Sequence, residues 1–258
     1  MQTGGRAGDG QQQRSFLYRW LKARRHALNA WGASYSRIPD DPVLDPAVFP
    51  WTGEIARHWT TIRDEALAIY RHADAIPPLR RISPDHRRIA TDDAWRSFFL
   101  IGYGNEVPGN IKRAPRTYEL VRRIPQLNSA FFSILAPGAH IPRHRGVTKG
   151  IVTAHLGLSV PSDWQGCTIE VDGQEVHWRD GEWTVFDDTC FHEVWNRTNQ
   201  PRIVLLCQVE RLLRWPASWL AKFGLAYIRR SPFVREAREE LARWEATYRE
   251  FEDRAPGD

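Results

Sequence analysis

The hydrophobic pattern changes period twice along the chain. In the flanking regions, apolar residues recur every three or four positions; between them they fall in short alternating runs broken by Gly, Asp and Pro. Residues 52–72 read as one helix, with Ile55, Trp59, Ile62, Ala66 and Tyr70 on one face and Pro77 and Pro78 beyond its end. Residues 114–124 read as a short helix. A last helix starts at Ser231-Pro232, a capping residue followed by proline in the first turn. Its apolar stripe, Val234, Ala237, Leu241, Trp244, Tyr248 and Phe251, steps by 3, 4, 3, 4 and 3 residues and predicts packing on the central domain.

The middle of the chain reads differently. Residues 95–104 form an aromatic strand, and from residue 130 strands are expected at 131–135, 140–144, 150–160, 168–171, 175–178, 183–187, 192–195 and 202–210. Asp172-Gly173 and Asp180-Gly181 supply hairpin turn chemistry. Eight short strands in about 80 residues predict a sandwich or barrel of the jelly-roll kind. The expected organisation is a mainly β protein with flanking helices: a polar tail over 1–13, a helical region over 14–94, a barrel over 95–210 and a helical region over 211–258.

Composition narrows the class. A hydrophobic content of 42% and twelve Trp exclude a disordered chain. Three cysteines with no CxxC pair argue against a disulfide framework and fit a reducing compartment. Arg19, Lys22, Arg24 and Arg25 interrupt any apolar leader, and no run of 18 apolar residues exists, so a cytoplasmic protein without a spanning helix is expected. The charge is unevenly placed: residues 1–30 hold six Lys/Arg against one Asp, and residues 211–230 hold five Lys/Arg and no acid. Those segments, read as helices over 14–31 and 212–228, suit either docking on the domain or peripheral contact with an anionic membrane. Nothing points to nucleic acid.

Five of the nine histidines, His140, His144, His155, His177 and His192, fall in the strand-rich stretch. On one face of a strand, His140 and His144 would stand about 13 Å apart, too far to share metal bonds of about 2 Å. Pro142 excludes a helical H-x3-H site. His144 and His192 can converge in a barrel, and His155 is a third ligand or a donor beside them. Iron, zinc, copper and nickel all suit such a set. Cys190 reads as a buried thiol. Arg202 shares a strand face with Val204, Leu206 and Gln208, so an inward guanidinium would need an anion, with Ser133 as a further donor.

These residues sit in recognisable motifs. SILAPGAHIPRHRG, HLGLSVP and WRDGEWTVFDDTCFHEVWN followed by Arg202 resemble the aspartyl/asparaginyl β-hydroxylase family over about residues 95–210, with WRSFF and APRTYEL upstream. The resemblance implies a double-stranded β-helix, cupin-like dioxygenase that uses iron(II), 2-oxoglutarate and dioxygen, hydroxylates an unactivated C–H bond and releases succinate and CO2. It implies His144 and His192 as iron ligands, and Ser133, Arg202, His155 and Trp95 around 2-oxoglutarate. Gly146 stands where a two-His-one-carboxylate site would place an acid; water completes the coordination in animal members, and Asp187 and Asp188 are expected behind the ligands.

The resemblance leaves the substrate open between a peptide Asp or Asn side chain and a lipid acyl chain. Thr153 occupies a position where peptide-modifying members usually carry arginine, with Arg145 a substitute. VDGQ, WRDGE, FDDT and QVERLLR are similar to bacterial lipid A acyl-chain hydroxylases, which usually carry a membrane helix not expected here. The competing readings are a three-histidine cupin enzyme without cosubstrate and a metal-binding cupin sensor or binding module.

Overall fold

The computed structural model describes residues 16–82, 89–90 and 92–254; the tail expected over 1–13 lies outside them. The strands are β1 (Val43–Leu44), β2 (Trp95–Gly102), β3 (Asn105–Glu106), β4 (Leu127–Leu135), β5 (His140–His144) and β6 (Ile151–Ser159). They continue with β7 (Cys167–Val171), β8 (Gln174–His177), β9 (Trp183–Phe186), β10 (His192–Asn196) and β11 (Arg202–Glu210). Helices α1 (Phe16–Ser34), α2 (Trp51–Ala56), α3 (Trp59–Tyr70), α4 (Leu79–Ile82), α5 (Pro108–Arg113) and α6 (Pro115–Val121) precede or interrupt the strands. Helices α7 (Ala217–Arg229) and α8 (Pro232–Arg254) follow them.

The strands form two antiparallel sheets in a cupin-like jelly roll. One has the order β1-β9-β6-β11-β4-β2-β3, the other β5-β10-β7-β8. Alternation decides what each face buries. On the outer face of the large sheet, Val152, Ala154 and Leu156 of β6 and Leu205 of β11 pack with Ile62, Ala66 and Ile69 of α3. On the inner face, Phe131, Val204 and Leu206 meet Ile169, Val171 and Val194 of the small sheet. Helix α8 buries Val234, Ala237, Leu241 and Tyr248, while Phe251 is exposed.

Two expectations about the fold are corrected. The helix over 52–72 is two helices, α2 and α3, separated at Arg57 and His58. The Thr52 carbonyl accepts from Trp183 Nε1 at 2.9 Å, and Trp59 packs on Gly181, so barrel contacts set the break. The two-residue strands β1 and β3 and the short α5 carry no readable periodicity.

His140 and His144 do not share a strand face. His144 is opposite His192 and Ile141 opposite Val194, three residues on β5 against two on β10. That extra residue, on an edge strand at Pro142, is a bulge that turns His144 to the side of Ile141. His140 is left outside, bonded to Glu193 at 2.6 Å and stacked on Trp195.

A candidate active site between the two sheets

A cavity of about 70 Å³ lies between the sheets, and its walls include Trp95, Ser133, His144, His155, His192 and Arg202. With Thr153, which also lines it, the fold thus gathers seven of the eight predicted site residues from β2, β4, β5, β6, β10 and β11. Arg145 does not line it: its guanidinium bonds His26 Nε2 at 3.0 Å and lies 4.5 Å from the centre of the Phe191 ring, with Arg143 on the same ring at 4.7 Å. The arginine expected to replace a substrate clamp is committed outside the cavity.

His144 and His192 face each other with ring centroids 4.1 Å apart. Each donates its Nδ1 proton to a carbonyl two residues earlier, His144 to Pro142 at 2.8 Å and His192 to Cys190 at 3.0 Å. Each Nε2 therefore keeps its lone pair, the state a metal ligand needs. Burial, together with the partner imidazole, lowers His144 to about 4, and burial lowers His192 as well.

The Asp188 carboxylate lies beside Gly146 and the imidazole pair. A Cβ on Gly146 would lie 1.7 Å from Asp188 Oδ2, so the Asp188 carboxylate occupies the space a side chain at 146 would fill. Its other oxygen is 3.7 Å from His192 Nε2, and burial raises its pKa to about 6. Among the described residues no three His, Cys, Asp or Glu side chains are grouped closely enough to hold a metal by themselves. Two imidazoles with one nearby carboxylate nevertheless fit a divalent transition metal that keeps open positions.

Asp187 has a different job. It is fully buried and binds Arg211, Lys149 and Thr189, and Lys149 also reaches Asp40. It ties the 36–42 connector to the barrel. Burial and the nearby Asp187 raise the Cys190 thiol to about 11, so this thiol is a poor ligand. His177 is paired with Glu175 at 3.3 Å, outside the site.

At one end of the cavity Arg202 is 1% exposed, and neither its Nε nor its Nη1 has a partner. Its guanidinium lies 4.6 Å from the Trp178 ring and contacts the Cys167 thiol, and burial lowers it to about 10. Trp178 donates Nε1–H to His155 Nδ1 at 3.3 Å, which places the His155 proton on Nε2, where it has no partner. Burial, then the charges of Arg202 and His192, hold His155 well below its ordinary pKa, so it is a neutral donor. Trp95 Nε1 donates to Ser133 Oγ at 3.0 Å, leaving that hydroxyl's hydrogen for another acceptor.

The opposite end carries no charge. Gln208 is in register with Ser129 on one side and Thr153 on the other, and all three line the cavity with Tyr103. Thr153 Oγ1 is buried without a partner. Six residues of extended β11 separate Gln208 from Arg202, about 20 Å. His155 is paired with Leu206, four residues from Arg202 and two from Gln208, and Phe186 packs on both His155 and His192. Thr153 was expected at the substrate position, whereas Trp178, Ser129 and Gln208 were not expected in the site; the two-residue alternation on β11 was the signal for Gln208.

A family profile described as Aspartyl/Asparaginyl beta-hydroxylase matches residues 56–212. The chain belongs to the aspartyl/asparaginyl beta-hydroxylase family. Within it, the chain is 37% identical to the ornithine lipid ester-linked acyl 2-hydroxylase of Rhizobium tropici over 228 residues, 86% of this chain and 80% of that protein. It is 27% identical to human aspartyl/asparaginyl beta-hydroxylase over 206 residues, 74% of this chain but 26% of that longer protein. Among solved structures, the Cupin_2 domain of an XRE family transcriptional regulator from Enterobacter cloacae overlays 45% of this chain and 96% of its own, at 16% identity and a TM-score of 0.32.

Proposed function

We propose that this hydroxylase is iron(II)- and 2-oxoglutarate-dependent and acts on the acyl chain of a lipid. The observation that carries the cosubstrate is the buried Arg202 guanidinium with two unpartnered donors. Such a charge is costly unless an anion pairs with it, and a planar carboxylate suits its fork. Ser133 would donate to the same carboxylate. His155 Nε2–H, neutral and between Arg202 and the imidazole pair, would donate to the other end of the diacid. His144 and His192 would hold iron(II), with Asp188 completing the donor set directly or through water.

Iron and 2-oxoglutarate, when bound, would supply the power to break a C–H bond. In the overall balance, dioxygen gives one oxygen to the substrate as a hydroxyl and the other to 2-oxoglutarate, which leaves as succinate and CO2. The chain's part is placement. Pro142 and Cys190 fix the two imidazole tautomers, Trp178 orients His155, and the aromatic and aliphatic walls exclude water.

Two facts support an acyl lipid over an acidic peptide. A relative that this chain matches over most of both lengths is named for a lipid acyl chain. The cavity end away from Arg202 offers hydroxyl and amide groups but no cation, since Arg145 is turned outward.

The test is succinate release from 2-oxoglutarate with iron(II) and an ester-linked acyl lipid in detergent. The expected product is the lipid with one added oxygen atom. Absence of both 2-oxoglutarate binding and succinate release would refute the cosubstrate assignment; turnover only with an Asp- or Asn-containing peptide would refute the substrate.

A further inference from the structure

We propose that α7, with the Trp215 that precedes it, is a docking face for the surface of an anionic phospholipid bilayer. Trp215, Trp219, Phe223 and Tyr227 recur every four residues and are 79%, 63%, 63% and 41% exposed, with Leu220 beside them at 47%. Trp219 and Phe223 stack on each other with centroids 5.9 Å apart, so the ring surface is continuous. The opposite face of α7 is seated on the protein through Ala217 and Leu225, both buried. Bare contiguous aromatic surface on this scale marks an interaction site, and Trp and Tyr suit a boundary between apolar and wet layers.

Charge selects the occupant. Arg214, Lys222 and Arg230 are exposed around this stripe, and the segment 211–230 contains no Asp or Glu. A second copy meeting the same face would set three cations against three with no acid of that segment to pair them. An anionic lipid surface pairs with all of them and takes the rings into its headgroup layer. Among the described residues, no helix is long and apolar enough to cross a membrane, and α7 with its exposed bases suits lying on one.

The position of α7 connects this face to the cavity. Ala221 Cβ would be 3.6 Å from a Cβ on Gly150, the residue before β6, and Arg229 bonds Asn128 Oδ1 on β4 and Glu210 at the end of β11. The nearby inward residues of those strands are Thr153, Ser129 and Gln208, the uncharged row of the cavity. The helix thus lies over the end away from Arg202, so a lipid held at the face would be beside that end. This delivery step rests on the acyl-lipid reading above; the docking itself does not.

Flotation with vesicles of phosphatidylcholine, with and without phosphatidylglycerol, tests it without turnover. The full chain is expected to float with the anionic vesicles at low salt and to detach as salt rises. Trp219→Ala/Phe223→Ala should lower the bound fraction's partition at least about tenfold, and Lys222→Gln about fivefold. Both variants should keep the thermal midpoint and the succinate release seen with detergent-dispersed substrate.

Wild-type chain left at the bottom of the gradient with anionic vesicles would overturn the proposal, as would a double variant that floats like wild type. So would a dimer that Trp219→Ala/Phe223→Ala splits into monomers, since that would make the face a self-interface. Absent succinate release with intact flotation would count against the hydroxylase chemistry and leave the docking face standing.

Discussion

The two ends of the cavity are built from the same strands and ask for opposite partners. At the end marked by Arg202, β4 and β11 contribute a buried cation and a hydroxyl, and β6 adds a neutral imidazole donor nearby. A few residues further along the same three strands, the inward positions are Ser129, Gln208 and Thr153. One end holds a buried cation with two unpartnered donors; the other presents only neutral groups. On the function proposed above, a single set of inward-facing positions would sort a charged cosubstrate from an uncharged substrate along about 20 Å of strand.

The largest expected effect would remove the centre that both ends serve. His192→Ala should abolish metal-dependent succinate release by more than about 100-fold, beyond the range that a supporting residue costs; residual turnover within tenfold would displace His192 from the ligand set. Next, Arg202→Met should weaken 2-oxoglutarate by about 3 kcal/mol, read by titration calorimetry with manganese in place of iron. The same variant should hold or raise the melting temperature without 2-oxoglutarate, because an unpartnered buried charge is gone. Unchanged affinity would erase the contrast between the ends.

Acid should loosen the middle of the site. His144 titrates at about 4 when folded against 6.5 as its reference, so as pH falls below 6.5 the unfolded chain takes the proton first and stability drops. From about pH 7.5 to about 5.5 that costs about 1 kcal/mol from His144 alone, and the lowered His155 and His192 act in the same direction. Asp188, raised to about 6, opposes them, because the folded state binds its proton first. Denaturant midpoints should therefore fall over this range in the metal-free protein, and more steeply in Asp188→Asn. A flat profile would contradict the neutral imidazoles.

The smallest effect belongs to the uncharged end. Thr153→Val removes a buried hydroxyl that has no partner, so stability should stay level or rise by up to about 1 kcal/mol. 2-Oxoglutarate affinity should not change, while the KM for substrate shifts by up to about fivefold. A change in 2-oxoglutarate affinity would mean that the two ends are not separate.

Period-two alternation made much of this readable in advance. The span 202–210 is β11 as observed, and its inward set Arg202, Val204, Leu206 and Gln208 follows from spacing alone. Strand spacing allowed at most one of His140 and His144 and left His155 open as a third ligand; it was the family resemblance that singled out His144 and His192. What stayed hidden depends on contacts distant in sequence. Trp178 matters through its bond to His155, Asp188 through a space at Gly146, and Arg145 was lost to Phe191 and His26. None of these has a local pattern.

The bulge in β5 makes the site depend on chain length as well as side-chain identity. His144 faces His192 because β5 is one residue longer than its partner between the paired positions. Substituting Arg143 leaves that count unchanged, whereas deleting it would carry His144 to the outer face with every cavity-lining side chain still present in the protein. Insertions and deletions at 142–143 are thus the lesions this hydroxylase should tolerate least, a constraint invisible to any scan that only exchanges residues.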